Sequence, residues 1–262
     1  MKRALLCAVG FATLLASVGT GFAVMTNASG DQRLVSTGHI LSDPSAPAVG
    51  RILYAPSEAD DAAYRAAISA AAGGAVVDYW DARVATPTVT QLLTYDCVYT
   101  CANYAYADNF GFGNNLAAYV DLGGRVVLGV FCTYTSGNFL SGAIMGPAYS
   151  PVYSPSGGNW FSYDVYAGNG STCIHTGVAG YGSSYRDDLA LQGTGATDGT
   201  YTGGVIAHAY RADFAVIYSN GAGASQLGGD GDWDLLIANA CSCGQPDATE
   251  ESTWGSVKTL FR

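Results

Sequence analysis

Several groups of residues in this sequence have types and spacings that could do chemistry. Cys132 follows a long apolar run and could serve as a thiolate nucleophile if His208 or His175 took its proton. Asp187 and Asp188, next to Tyr185 and Arg186, could work as acid and base in a cleft, and Asp60 and Asp61 form a second acidic pair. Asp230-Gly231-Asp232-Trp233-Asp234 has the carboxylate density that calcium favours. Tyrosines at 104, 106, 134, 149, 153, 163, 166, 181 and 185 offer flat apolar faces with a hydroxyl, suited to stacking on sugars or to packing long loops.

Weighed one by one, most of these have a plainer role. Counted from Asp230, the positions where a calcium loop needs Gly and Glu hold Leu235 and Cys241, so the acids are expected to cap the last helix. Asp60 and Asp61 fall in a helix first turn, where the helix dipole favours acids. His208 lies inside an apolar strand and reads as a satisfied core histidine, while His39 falls in a linker. No metal or other cofactor is expected.

The chain start sets the compartment. Met1-Lys2-Arg3, the apolar run Ala4–Ala16 and the small residues after it predict a cleaved signal peptide over 1–25, followed by a linker over 26–50. The expected location is secreted, periplasmic or at the cell surface, without a membrane span after cleavage. A net charge of −10, with Lys2 and Lys258 as the only lysines, argues against nucleic acid as a partner. Cys97, Cys101, Cys132, Cys173, Cys241 and Cys243 remain beyond the leader, an even number in an exported chain, and predict disulfides with no free thiol.

The elements that must position these residues come in a regular order. Strands are predicted near 51–55, 75–79, 96–102 and 125–131, alternating with helices that end at Gly73-Gly74 and Gly123-Gly124. Ser57 with Asp60 predicts a capping box, and Thr86-Pro87 predicts the start of a short helix. Residues 133–200 show no period, 203–219 predict a hairpin, and Asp232–Ala240 a closing helix. The alternation predicts a doubly wound α/β domain over 51–243, mainly parallel and flavodoxin-like, with a long irregular insertion. Residues 244–262 read as a linker and a short helical tail, with Trp254, Val257 and Phe261 on one face. Cys101 and Cys132 then fall at the carboxyl ends of adjacent strands, about 4.8 Å apart, and a disulfide between them is the favoured reading.

Three stretches, "TPTVTQLLTYDCVYT", "NNLAAYVDLGGRVVLGVF" and "GDWDLLIANA", with "HTGVAGYGSSYRDDLAL" between the last two, resemble in order the ThuA-like branch of the class I glutamine amidotransferase-like superfamily. The resemblance covers about 51–242. It implies the same α/β fold and, in members that transfer amides, a cysteine on a Gly-x-Cys-x-Gly elbow with a later His-x-Glu. Here Phe131 stands two residues after Gly129, Cys132 is one step late between the bulky Val130 and Tyr134, and neither His175-Thr176-Gly177 nor His208-Ala209-Tyr210 gives His-x-Glu. The dyad is therefore expected to be missing.

Three functions compete on this reading. The first is a non-catalytic binding domain for a glycan or an extracellular protein. The second is a ThuA-like hydrolase acting on sugar-derived substrates, as the resemblance implies, and the third is a structural surface component. Ligands of doubly wound sheets sit beyond the strands' carboxyl ends. That edge would gather Ser57, Asn103, Tyr104, Asp108, Thr133 and Tyr134 as ligand-binding residues.

Overall fold

The computed structural model describes residues 22–26, 32–36 and 49–244. The first two segments pair as antiparallel strands, inside the stretch read as leader and linker. The rest of that stretch and the Trp254–Arg262 tail lie outside the described residues.

The domain is built on a seven-stranded sheet. Its strands are β1 (Arg51–Tyr54), β2 (Val76–Tyr79), β3 (Cys97–Thr100), β4 (Arg125–Gly129), β5 (Gly195–Thr197), β6 (His208–Arg211) and β7 (Val216–Ser219). Their order across the sheet is β5-β6-β7-β4-β3-β1-β2, with β7, β4, β3, β1 and β2 parallel and β6 antiparallel to both neighbours. The chain runs from β1 out to the edge strand β2, then crosses to the other side of β1 to form β3. Winding therefore reverses between β1 and β3, which makes that crevice the topological switch point of a flavodoxin-like sheet. The predicted parallel strands and the late hairpin are all present.

Right-handed crossovers in opposite directions put helices on both faces. Helix α1 (Ala62–Ala71) packs against α4 (Trp233–Ser242), while α2 (Val89–Leu92) packs against α3 (Asn109–Asp121). The parallel strands are thus covered twice, and Val126, Val127 and Leu128 of β4 are buried, as their unbroken apolar run requires.

Helix starts differ from the sequence reading for local reasons. Asp61, not Ser57, caps α1 by accepting from the Tyr64 N–H at 3.0 Å. Ser57 is already committed to the sheet edge, its N–H bonded to Cys101 O and its hydroxyl to Tyr104 O. Thr88 with Gln91 forms the capping box of α2, two residues beyond Thr86. Helix α3 starts at Asn109 and runs through glycines in its first turns, residues that disfavour helix. Those glycines let the helix approach the loop beyond it, since a Cβ on Gly113 would meet Ser141 O at 1.7 Å.

Two disulfides hold α4, Cys97–Cys241 to the start of β3 and Cys173–Cys243 to the insertion. Cys101 and Cys132 are unbonded, which corrects the expected pairing and the expectation of no free thiol. Cys101 Sγ faces the Glu58 carboxyl at 4.0 Å, whereas Cys132 Sγ faces Tyr106 Oη at 3.7 Å and Thr100 O at 3.8 Å. The Thr100 hydroxyl and the Cys132 sulfur share Tyr106 Oη, and side chains alternate along a strand, so this sulfur lies on the face away from Cys101. No helix among the described residues is long and apolar enough to cross a membrane.

Candidate functional site

The carboxyl edge of the sheet is where this architecture places ligands, and its shape is set by the end of β4. The chain leaves Gly129 through Val130 into Phe131, whose φ of 67° is left-handed, an uncommon conformation for a bulky residue. A Cβ at Gly129 would lie 2.8 Å from the Cys101 Cβ, so only glycine lets β3 and β4 close here. This turn stands where the sequence resemblance implied an elbow, with a phenyl ring at its left-handed position. The ring packs with Tyr134 (centroids 5.4 Å apart), Tyr185 (5.5 Å) and Phe161 (6.3 Å), and Phe161 is 62% exposed. An aromatic roof thus covers the place where a nucleophile would stand.

Cys132 follows the turn by one residue. It is fully buried, and burial pushes its thiol up to about 12, against the hydrogen bond from Tyr106. Neither histidine contacts it. His208 bonds Tyr181 and Ser219, as a core histidine should, and His175 bonds Asp198 and Tyr181.

The six residues expected at the edge divide into two groups. Ser57, Thr133 and Asp108 are occupied within the protein. Ser57 is buried and holds the Tyr104 loop, Thr133 donates to Asp187 at 2.9 Å, and Asp108 caps α3 through the Gly111 N–H. Asn103, Tyr104 and Tyr134 reach the surface. The Asn103 amide donates to Glu58 at 3.2 Å, and Tyr104 is half exposed beneath the Arg83 guanidinium, 5.6 Å from its ring centre.

The acidic pairs are not free acid–base couples. Asp60 binds Arg65 and Asp61 caps α1. Asp187 is fully buried beneath Thr133, Asn159 and Tyr218, and burial raises its carboxyl above the usual range despite those donors. Asp188 accepts from Ser156. Asp230 accepts from Tyr163, and Asp232 takes the Ala179 and Gly180 N–H groups instead of capping α4 by its side chain, contrary to expectation.

Two acids gained a place that sequence reasoning missed. Glu58 follows β1 at the switch point, buried, accepting from Tyr54 Oη at 2.8 Å and from Asn103. Burial raises its carboxyl, with those two hydrogen bonds opposing. Its position just past a strand at the reversal was the available signal. Asp198 holds His175 at 2.8 Å, and nothing in its Ala-Thr-Asp-Gly surroundings announced that. Two shallow surface grooves lie away from this edge, one between α1 and β2 and one at the amino ends of β3 and β4.

No protein-family model matches the chain, and no curated protein matches it in sequence. Solved structures do resemble it. One is the cytoplasmic protein STM3548 from Salmonella typhimurium, 12% identical, covering 72% of this chain and 97% of its own, with a TM-score of 0.51. Another is a putative ThuA-like protein from Bacteroides uniformis, 14% identical, covering 78% of this chain and 94% of its own, with a TM-score of 0.42. This chain shares a doubly wound α/β fold with STM3548. At such identities the likeness concerns fold alone, and what this domain does rests on its own residues.

Proposed function

We propose that this is an exported, non-catalytic binding domain that takes its ligand at the elbow edge. The observation that carries this reading is Phe131: the left-handed position of the elbow holds a ring with no nucleophilic atom, roofed by Tyr134, Tyr185 and Phe161. The thiol one step later is sealed from solvent. Export is supported by the leader-like first residues and by two disulfides, which persist in oxidising compartments. A neutral glycan suits the edge best. Aromatic faces stack on sugar rings, and the exposed or half-exposed Asn103, Thr135, Ser136 and Asn138 can meet hydroxyls without a charge.

A glycan array probed with the purified protein tests this reading, followed by titration of the best glycan against Phe161→Ala and Tyr104→Ala. Each loss should weaken binding about tenfold, the scale of one aromatic stacking contact. Turnover of glutamine or an ester that disappears in Cys132→Ser at unchanged stability would overturn the non-catalytic part. Unaltered glycan affinity in both aromatic variants would move the ligand elsewhere.

A further inference from the structure

The insertion is fastened to the sheet by a buried chain of hydrogen bonds that has a direction. Ser219 Oγ on β7 lies 3.0 Å from His208 Nε2, and His208 Nδ1 lies 3.1 Å from Tyr181 Oη. Tyr181 Oη is 3.1 Å from His175 Nε2, and His175 Nδ1 is 2.8 Å from Asp198 Oδ2. All five residues are buried. Asp198 is fixed in turn by the Ser171 and Thr172 N–H groups and by the Thr172 hydroxyl. Those donors and His175 outweigh the effect of burial and hold its carboxyl below the usual range.

Proton positions follow from the donors and acceptors available. A carboxylate only accepts, so His175 carries its proton on Nδ1. In the neutral ring Nε2 accepts from the Tyr181 hydroxyl. The Tyr181 oxygen accepts from His208 Nδ1–H, which leaves His208 Nε2 to accept from Ser219. That arrangement satisfies every member of the chain.

A further proton on His208 would turn Nε2–H onto the Ser219 hydroxyl oxygen and leave a fully buried charge with no carboxylate against the ring, beside the His175 ring whose centroid is 5.0 Å away. Helix α4 offers His208 only the Trp233 ring. The insertion offers Tyr181, with Tyr166 stacked on His175 and Tyr201 edge-on to Tyr181. Arg186 lies over Tyr201 and 3.8 Å from Asp164, while Asp198 bonds the His208 carbonyl with its N–H at 2.8 Å and turns its carboxyl to the His175 ring. Burial, then His175, hold His208 well below the ordinary histidine value, with Asp198 opposing.

We propose that this chain is an acid-sensitive latch, in which neutral His208 closes the insertion onto β6 and β7 and its protonation releases it. The Cys173–Cys243 bond, two residues from His175, keeps the released segment attached to α4. The direction of the effect follows from linkage. In the open form His208 titrates near the ordinary value of about 6.5; the closed form refuses that proton. Above this value the latch carries no penalty. Below it, the open population rises about tenfold per pH unit.

The chain has three histidines, so their imidazole resonances can be followed singly in the intact protein while backbone exchange is measured between pH 7.5 and 5. Amides of 178–192, corrected for intrinsic exchange, should lose protection by up to about tenfold per pH unit below about pH 6.5, while those of β1, β3 and β4 keep theirs. His208→Gln, which keeps a donor and an acceptor but cannot charge, should abolish this dependence. If His208 titrates like a free imidazole without loss of protection, or if insertion and sheet lose protection together, the latch is wrong. Should His208→Gln fail to fold, the wild-type resonance and exchange data decide alone.

Discussion

The two cysteines of β3 lie four residues apart on one face and have opposite fates. Cys97 opens the strand bonded to Cys241 of α4, while Cys101, one residue past its end, remains a thiol beside Glu58. Both are fully buried and both point to the face that α4 covers. The difference is what each one meets. Helix α4 ends over the amino end of β3 and brings Cys241 within 5.5 Å, Cα to Cα, of Cys97. At the carboxyl end the neighbouring strand offers Gly129 opposite Cys101, and the next sulfur lies beyond the Phe131 turn. Cysteine parity and compartment therefore set an expectation, and the crossing of elements decides each pair.

The contrast is broken most strongly at its bonded end. Cys241→Ser opens a link spanning 144 residues and should cost about 2–5 kcal/mol. For a domain of this size that lowers the melting temperature by roughly 2–4 °C per kcal/mol in calorimetry. Cys101→Ala removes only a buried sulfur and should cost less, about 1–2 kcal/mol; a loss equal to that of Cys241→Ser would mean that Cys101 is bonded after all.

Smaller effects sharpen the same comparison. The raised Glu58 carboxyl favours folding where it is protonated, and that contribution is lost as pH climbs above its ordinary value of 4.5 and through its higher folded value. Glu58→Gln should therefore flatten the stability profile above about pH 4.5, measured by urea titration across pH. In the protein freed of the leader that carries Cys7, a thiol reagent should label nothing in the native state and mark two cysteines after unfolding, since burial raises both thiols. Labelling at native pH would show that the elbow edge opens.

The sheet was legible because its signals are local. Val126-Val127-Leu128 can be read as a doubly covered strand, and Gly73-Gly74 and Gly123-Gly124 mark the ends of helices whose cores pack on it. The insertion was not, because its strands are two or three residues long, as in Asn159–Trp160 against Arg186–Asp187, too short to express a period. Of the residues placed at the candidate edge by sheet geometry, Asn103, Tyr104 and Tyr134 reach the surface, whereas the commitment of Ser57, Thr133 and Asp108 to backbone and carboxylate partners depends on contacts that the sequence does not display. Glu58 was passed over because a lone acid before a helix looks like a surface residue. The left-handed Phe131 leaves no mark in the residue types, which favour glycine there.

The two disulfides interleave: Cys173 lies between Cys97 and Cys241, and Cys243 lies outside that pair. A single backbone cut anywhere from 98 to 242 thus falls inside at least one covalent ring. A protease that nicks an insertion loop would leave the fragments joined, running as one band without reductant and as two with it. Damage to the most exposed part of the domain is then survivable, because the nicked ends stay tethered to α4 and can settle back.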